Sequence, residues 1–246
     1  MSIWGKLLGG AAGFAIGGPI GLLIGVAAGH LADNVRVRAG QKKLAAGNAA
    51  TRQQVFAIAL IALSAKMAKA DGTVTRDEVD AFKAIFRVPS KDVKAVAQIF
   101  NQAKSDANGF EEYAEQVASV FQSKPEVLEE LIGALIHIAM ADGTMHPNER
   151  SFLLTVSEIF GFSSEHFEKI AAQHGASEAN DPYKILGIEI TATNDEIKST
   201  YRSLVRENHP DKLIAKGMPE EMVDLATEKL AAINDAYSKI EKQRGI

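Results

Sequence analysis

The sequence predicts an all-α protein in three parts: a single transmembrane helix, a helical bundle and a C-terminal helical hairpin. Three observations carry this. An uncharged glycine-rich stretch opens the chain, apolar residues then recur at helical spacing, and strand-like alternation is absent. The 246 residues hold 27 Lys+Arg against 31 Asp+Glu, a net charge of −4. A mildly acidic chain suits broad phosphate-backbone binding poorly, so nucleic acid is not an expected partner. The absence of cysteine excludes disulfides, Cys-ligated zinc, iron–sulfur clusters and thiol catalysis. Apolar residues make up 46%, which suits a folded chain and is too high for a disordered one. No nucleophile–base pair, phosphate loop or HExxH motif is present, so neither an enzyme nor a cofactor is expected.

Residues 1–6 are a short tail. Leu7 to Gly29 follow without a charge, and 9 of the 20 glycines lie in the first 29 residues. At helical rise such a stretch is about 34 Å long, enough to cross a hydrocarbon core with a little tilt. Gly9, Gly13, Gly17, Gly21, Gly25 and Gly29 recur every fourth residue and share one face. Overlapping GxxxG units make a groove in which a second helix can approach backbone to backbone, so a homodimer surrounded by membrane lipid is expected. Pro19 is tolerated in a span, and Trp4 sits where an interfacial anchor would. Two other readings stand beside this one. A cleaved signal peptide usually has a shorter apolar core, and a soluble helix would lose about 0.8–1 kcal/mol at each glycine. Only Lys6 precedes the span, whereas Arg36, Arg38, Lys42 and Lys43 follow it. This asymmetry puts the C-terminal bulk on the cytoplasmic side.

Residues 30–51 read as a juxtamembrane linker and 52–173 as a bundle of about seven helices, divided by turn signals such as Val88-Pro89-Ser90, Asn108-Gly109 and Asp142-Gly143. Val55, Ile58, Ala59, Ala62 and Met67 give one buried face; Phe110, Tyr113, Val117, Val120 and Phe121 give another. Ala70-Asp71-Gly72-Thr73 recurs 71 residues later as Ala141-Asp142-Gly143-Thr144, and Glu78 recurs as Glu149. Two readings compete here. One is a pair of helix corners, with a capping box at Thr75–Glu78 and, at His146–Glu149, proline at the first helical position and glutamate at the third. The other is an acidic cation site built from Asp71, Glu78, Asp142 and Glu149. An EF-hand is excluded, because Met67, Lys69, Ile138 and Met140 fall at its first two ligand positions. The repeated Ala-Asp-Gly-Thr with its glutamate resembles the TerB-like domain of tellurite-resistance and stress proteins. The resemblance implies a helical sensor or docking module with a conjectured acidic metal site.

Residues 174–180 form a polar linker, and 181–246 a compact unit. Tyr183-Lys-Ile-Leu-Gly187 is a short helix stopped by glycine. The capping box Thr193–Glu196 opens a helix that runs to about Glu207 and buries Ile197, Tyr201, Leu204 and Val205. Pro210 ends that helix at a tight, exposed loop, His209-Pro210-Asp211. A last helix, from near Pro219 to Lys242, buries Met222, Leu225, Ile233, Tyr237 and Ile240. Lys198, Arg202 and Arg206 stand four apart and form a positive stripe running up to the tip.

This segment resembles the J domain of DnaJ-type co-chaperones in four elements, in order: Tyr-x-x-Leu-Gly, Ile-x-x-x-Tyr-x-x-Leu, His-Pro-Asp-Lys and Asn234-Asp-Ala-Tyr237. The resemblance implies a DnaK-type chaperone as partner. His209, Pro210 and Asp211 would trigger its ATPase, and Lys198, Arg202 and Arg206 would dock its acidic surface. Glu207 and Asn208 depart from the family, which more often has a basic residue and an aromatic there. Taken whole, the chain is similar to membrane-anchored DnaJ-like co-chaperones of Gram-negative bacteria. That implies a single-pass inner-membrane protein with its N-terminus periplasmic. The expected function is recruitment of a DnaK-type chaperone to the cytoplasmic face. The alternative is a dimeric membrane stress or metal sensor acting through the TerB-like part.

Overall fold

The computed structural model describes residues 18–21, 23, 49–71, 76–90, 92–105, 109–176 and 181–246. Most of the expected span, including Gly9, Gly13, Gly17, Gly25 and Gly29, lies outside the described residues. Among the described residues no helix is long and apolar enough to cross a membrane. Ile20 and Leu23 are buried in the bundle core, and the Ile20 N–H donates to Gln116 Oε1 at 2.9 Å. The described residues therefore show no span.

The described residues from Ala49 onward are all-helical, as the sequence predicts. Among the described residues from Ala49 to Gln173, seven helices form the bundle: α1 (Ala49–Asp71), α2 (Arg76–Phe86), α3 (Val93–Ser105), α4 (Phe110–Phe121), α5 (Pro125–Ala139), α6 (Pro147–Ile159) and α7 (Ser164–Gln173). One buried face was expected for α1. Instead every residue from Val55 to Ala68 is buried, Ser64 and Lys66 included. The reason is its place: α3, α4, α5 and α6 all pack around it. Small residues on several sides (Ala57, Ala59, Ala62, Ala65) let those neighbours approach closely. Of the second expected face, Tyr113, Val117 and Phe121 are buried, while Phe110 and Val120 are half-buried against the core.

Four helices and a 3₁₀ turn follow: α8 (Pro182–Leu186), α9 (Asn194–Glu207), α10 (Pro210–Lys216), the turn Glu220–Met222 and α11 (Val223–Arg244). Gly187 stops α8 in the left-handed conformation at φ 68°, which a residue with a Cβ adopts only at a cost. Tyr183, Ile185, Leu186, Ile197, Leu204, Ile233, Ala236 and Ile240 form a small core, to which α7 adds Ala172. Tyr201 and Tyr237 are half-buried and stack with ring centroids 3.9 Å apart.

Two expectations change. His209-Pro210-Asp211 opens a helix of its own, with His209 as N-cap and proline at the first position, where its missing N–H costs nothing. Met222 and Leu225 are buried, but in the bundle core together with Leu213, Met218 and Ala226. The C-terminal unit and the bundle therefore share apolar packing.

Candidate functional site

The tip is built by α9, α10 and α11. At the start of α9 the Glu196 N–H donates to Thr193 Oγ1 at 3.3 Å and the Thr193 N–H donates to Glu196 Oε2 at 2.7 Å, completing the expected capping box. The Thr193 N–H and the Thr193 hydroxyl, both donating to Oε2, hold the Glu196 carboxyl below its ordinary pKa. Ile197 and Leu204 face Ile233, Ala236 and Ile240, and the Tyr201 hydroxyl donates to Asn234 Oδ1 at 3.0 Å. That apolar contact sets the rotation of α9, leaving Arg202 and Arg206 exposed and Lys198 half-buried along the outer side.

Glu207 and Asn208 take local structural roles. Glu207 accepts from Ser203 Oγ at 2.7 Å and lies 3.9 Å from Arg206, which dilutes the positive stripe at its upper end. Asn208 is buried and its Nδ2 donates to the Leu204 carbonyl at 2.8 Å, closing α9. His209 then has φ −66° and ψ 126°, the extended backbone that a following proline requires. Its Nδ1 accepts from the Asp211 N–H at 3.3 Å, which leaves the ring proton on Nε2, pointing away from the backbone. The Asp211 side chain is 88% exposed and that of His209 53%. The tip thus presents a ring N–H and a carboxylate next to a row of cations. This arrangement suits recognition of a surface with complementary charges.

In the bundle, the four acidic positions divide. The Glu78 and Glu149 carboxyls meet and are both buried. Burial pushes the Glu149 carboxyl up to about 7, helped by the hydrogen bond and charge of Glu78 and opposed by the His146 N–H. That N–H donates to Glu149 Oε2 at 2.8 Å, so the glutamate at the third helical position caps the start of α6. Asp142 turns elsewhere, accepting from the Thr144 N–H at 3.0 Å and lying 3.4 Å from His146 Nε2. The Asp71 side chain and Thr75 are outside the described residues. Among the described residues no group of three or more metal-ligating side chains is gathered.

Sequence reasoning missed a third polar cluster, buried between α5, α7 and α11. Lys229 Nζ lies 2.8 Å from Glu130 Oε1 and 3.4 Å from Glu129 Oε2; the side chains of Lys229 and Glu130 are fully buried. Burial alone would lower the Lys229 pKa, yet the adjacent carboxylates raise it. Burial likewise works to raise the Glu129 pKa, but hydrogen bonding from His166 and the Lys229 charge bring it down to about 2. The half-buried His174 turns its Nε2 inward beside Gly133, and burial pulls its pKa down to about 3. A Cβ on Gly133 would run into that ring, which accounts for a glycine within α5. The only sequence signal was a lysine at a core position of α11.

Three family models match the chain: the co-chaperone DjlA transmembrane domain over residues 1–49, the tellurite resistance protein TerB over 57–172 and the DnaJ domain over 181–244. Co-chaperone protein DjlA of Photobacterium profundum is 32% identical, covering 99% of each chain. Those of Vibrio vulnificus and Escherichia coli are 33% and 29% identical, each over 100% of this chain and 99% of their own. No solved structure matches the chain.

Proposed function

Because the chain belongs to the DjlA family of co-chaperones, we propose that it recruits a DnaK-type chaperone to the cytoplasmic face of the inner membrane and stimulates its ATPase. The observation that carries this reading is the exposed His209-Pro210-Asp211 tip at the end of the Arg202–Arg206 row. His209, Pro210 and Asp211 stabilise the partner's hydrolysis-competent state, while Lys198, Arg202 and Arg206 dock its acidic surface. The chain itself is not an enzyme; it lends binding energy that differs between two states of the partner. Arg202→Glu and Arg206→Glu are expected to weaken stimulation about tenfold or more, as like charges now face each other. Stimulation by the unaltered chain falls as salt is raised, because exposed charges are screened over about 8–10 Å near physiological ionic strength. An ATPase titration at several salt concentrations checks both, and salt-independent stimulation would point to apolar docking instead.

The tether is residues 7–29, single-pass, with the N-terminus periplasmic, supported by the match of residues 1–49 to a transmembrane family model. The groove of Gly9, Gly13, Gly17, Gly21, Gly25 and Gly29 pairs two such spans as a homodimer. Replacing Gly17, Gly21 and Gly25 with isoleucine is expected to reduce self-association in a membrane dimerisation reporter while insertion persists. Equal association in the triple variant would refute the groove.

The Glu78–Glu149 contact favours a second reading, a stress or metal sensor in the bundle. The folded pKa of Glu149 stands above the ordinary 4.5, so the folded chain keeps a proton that the unfolded chain releases. Stability should therefore fall as pH rises from about 4.5 to about 7. Glu149→Gln is expected to flatten that fall and to melt a few degrees higher than the unaltered chain at pH 8. Melting curves at pH 5 and pH 8, with and without millimolar divalent cation, check this. A cation site with Asp71, Glu78, Asp142 and Glu149 as ligands raises the pH 8 midpoint of the unaltered chain; helix corners alone do not.

A further inference from the structure

The helix that begins with the tip ends on the bundle. α10 is seven residues long, with Pro210 and Asp211 in its first turn. Leu213 is fully buried in the bundle core, and Lys216 Nζ pairs with Glu126 at the start of α5. The Lys216 carbonyl accepts from Arg52 Nε at 3.1 Å, and the Met218 carbonyl from Gln53 Nε2 at 3.2 Å, both on α1. Between them Gly217, at φ 126°, lies so close that a Cβ there would stand 2.7 Å from Arg52 Cβ. From α11, Lys229 inserts its ammonium between Glu130 and Glu129 of α5. An unpaired ammonium is too costly to bury, so Lys229 keeps this position only while the bundle supplies both carboxylates. None of these contacts covers the tip.

We propose that Lys229, Glu130 and Lys216 are positioning residues, which clasp the C-terminal unit onto the bundle and hold α10, and with it the His209-Pro210-Asp211 tip, in one preformed conformation. The proposal rests on the reading of that tip as the chaperone-triggering element. A preformed tip loses less conformational freedom on engagement. Loosening the clasp therefore acts on the partner concentration needed for half-maximal stimulation and leaves the maximal rate alone.

The test uses the full chain in lipid nanodiscs, read by amide hydrogen exchange and by titrating a DnaK-type ATPase. Lys229→Met leaves Glu130 buried without its cation. Exchange at Leu213, Gly217 and Met218 should rise about tenfold or more while the α1 amides stay protected. The half-saturating partner concentration should rise about fivefold at an unchanged maximal rate. Combining Lys229→Met with Glu130→Gln removes the fully buried charge pair, leaves Glu129 with its His166 partner and should restore both readouts. Unchanged exchange in the single variant overturns the clasp. Faster exchange with an unchanged half-saturating concentration, or no rescue in the double variant, overturns the positioning role. If Lys229→Met unfolds the chain, loosening α1 as well, Glu126→Gln replaces it and is held to the same outcomes. A full chain that stimulates no DnaK-type ATPase refutes the reading of the tip, while exchange still decides the clasp.

Discussion

His209→Gln and Asp211→Asn should each bring ATPase stimulation down to the partner's unstimulated rate while leaving the fold intact. The two halves of that expectation have separate grounds. The loss follows because the tip offers the partner a ring N–H, a proline and a carboxylate, and each substitution puts an uncharged amide of different shape or charge in place of the ring or the carboxylate. The intact fold follows from exposure: the two side chains are 53% and 88% exposed, and their mutual contact is a 3.3 Å hydrogen bond from the Asp211 N–H. Surface changes of this kind usually stay within about 0.5 kcal/mol. Circular dichroism and melting of the variants should overlay those of the unaltered chain. Stimulation at the normal rate by either variant would remove the tip from the mechanism, and loss accompanied by melting at a lower temperature would make the effect one of stability.

The largest effect on stability is expected at Phe121. Its ring is fully buried, meets Phe56 edge-on at 6.4 Å and lies under Gly217, whose added Cβ would stand 3.2 Å from it. Phe121→Ala deletes a ring that both the bundle and the C-terminal unit use, at a cost of about 3–5 kcal/mol. For a chain of this size that lowers the melting temperature by roughly 10 °C. Because Leu213, Met218, Met222, Leu225 and Ala226 belong to the same core, calorimetry should show a single transition that moves as a whole. Two transitions, with only one of them shifted, would mean that the C-terminal unit unfolds independently of the bundle.

Much of the site was legible because it is written in local rules. The capping box at Thr193–Glu196, the glycine stop at Gly187 and the stripe of Lys198, Arg202 and Arg206 depend on residues at most eight apart. The start of α10 is ambiguous for a local reason too: Pro210 ends one helix and is also a favourable first residue of the next. The acidic repeat was half legible. The helix start at Pro147 with Glu149 in its first turn follows from spacing, whereas the meeting of Glu149 with Glu78 needs two corners to converge in space.

By itself the sequence determined the all-α class, the number of bundle helices, the tip and its row of cations. Periodicity, capping and proline geometry act over a few residues and need no knowledge of the partner surface. The tertiary structure alone decided which surface each apolar or charged side chain meets. It buried α1 on every side from Val55 to Ala68, turned Met222 and Leu225 into the bundle, and set Lys229 against Glu130, 99 residues away. An amphipathic pattern states that a side chain must be buried, but not against what. A lysine reads as solvated until the fold supplies two carboxylates that make its burial affordable.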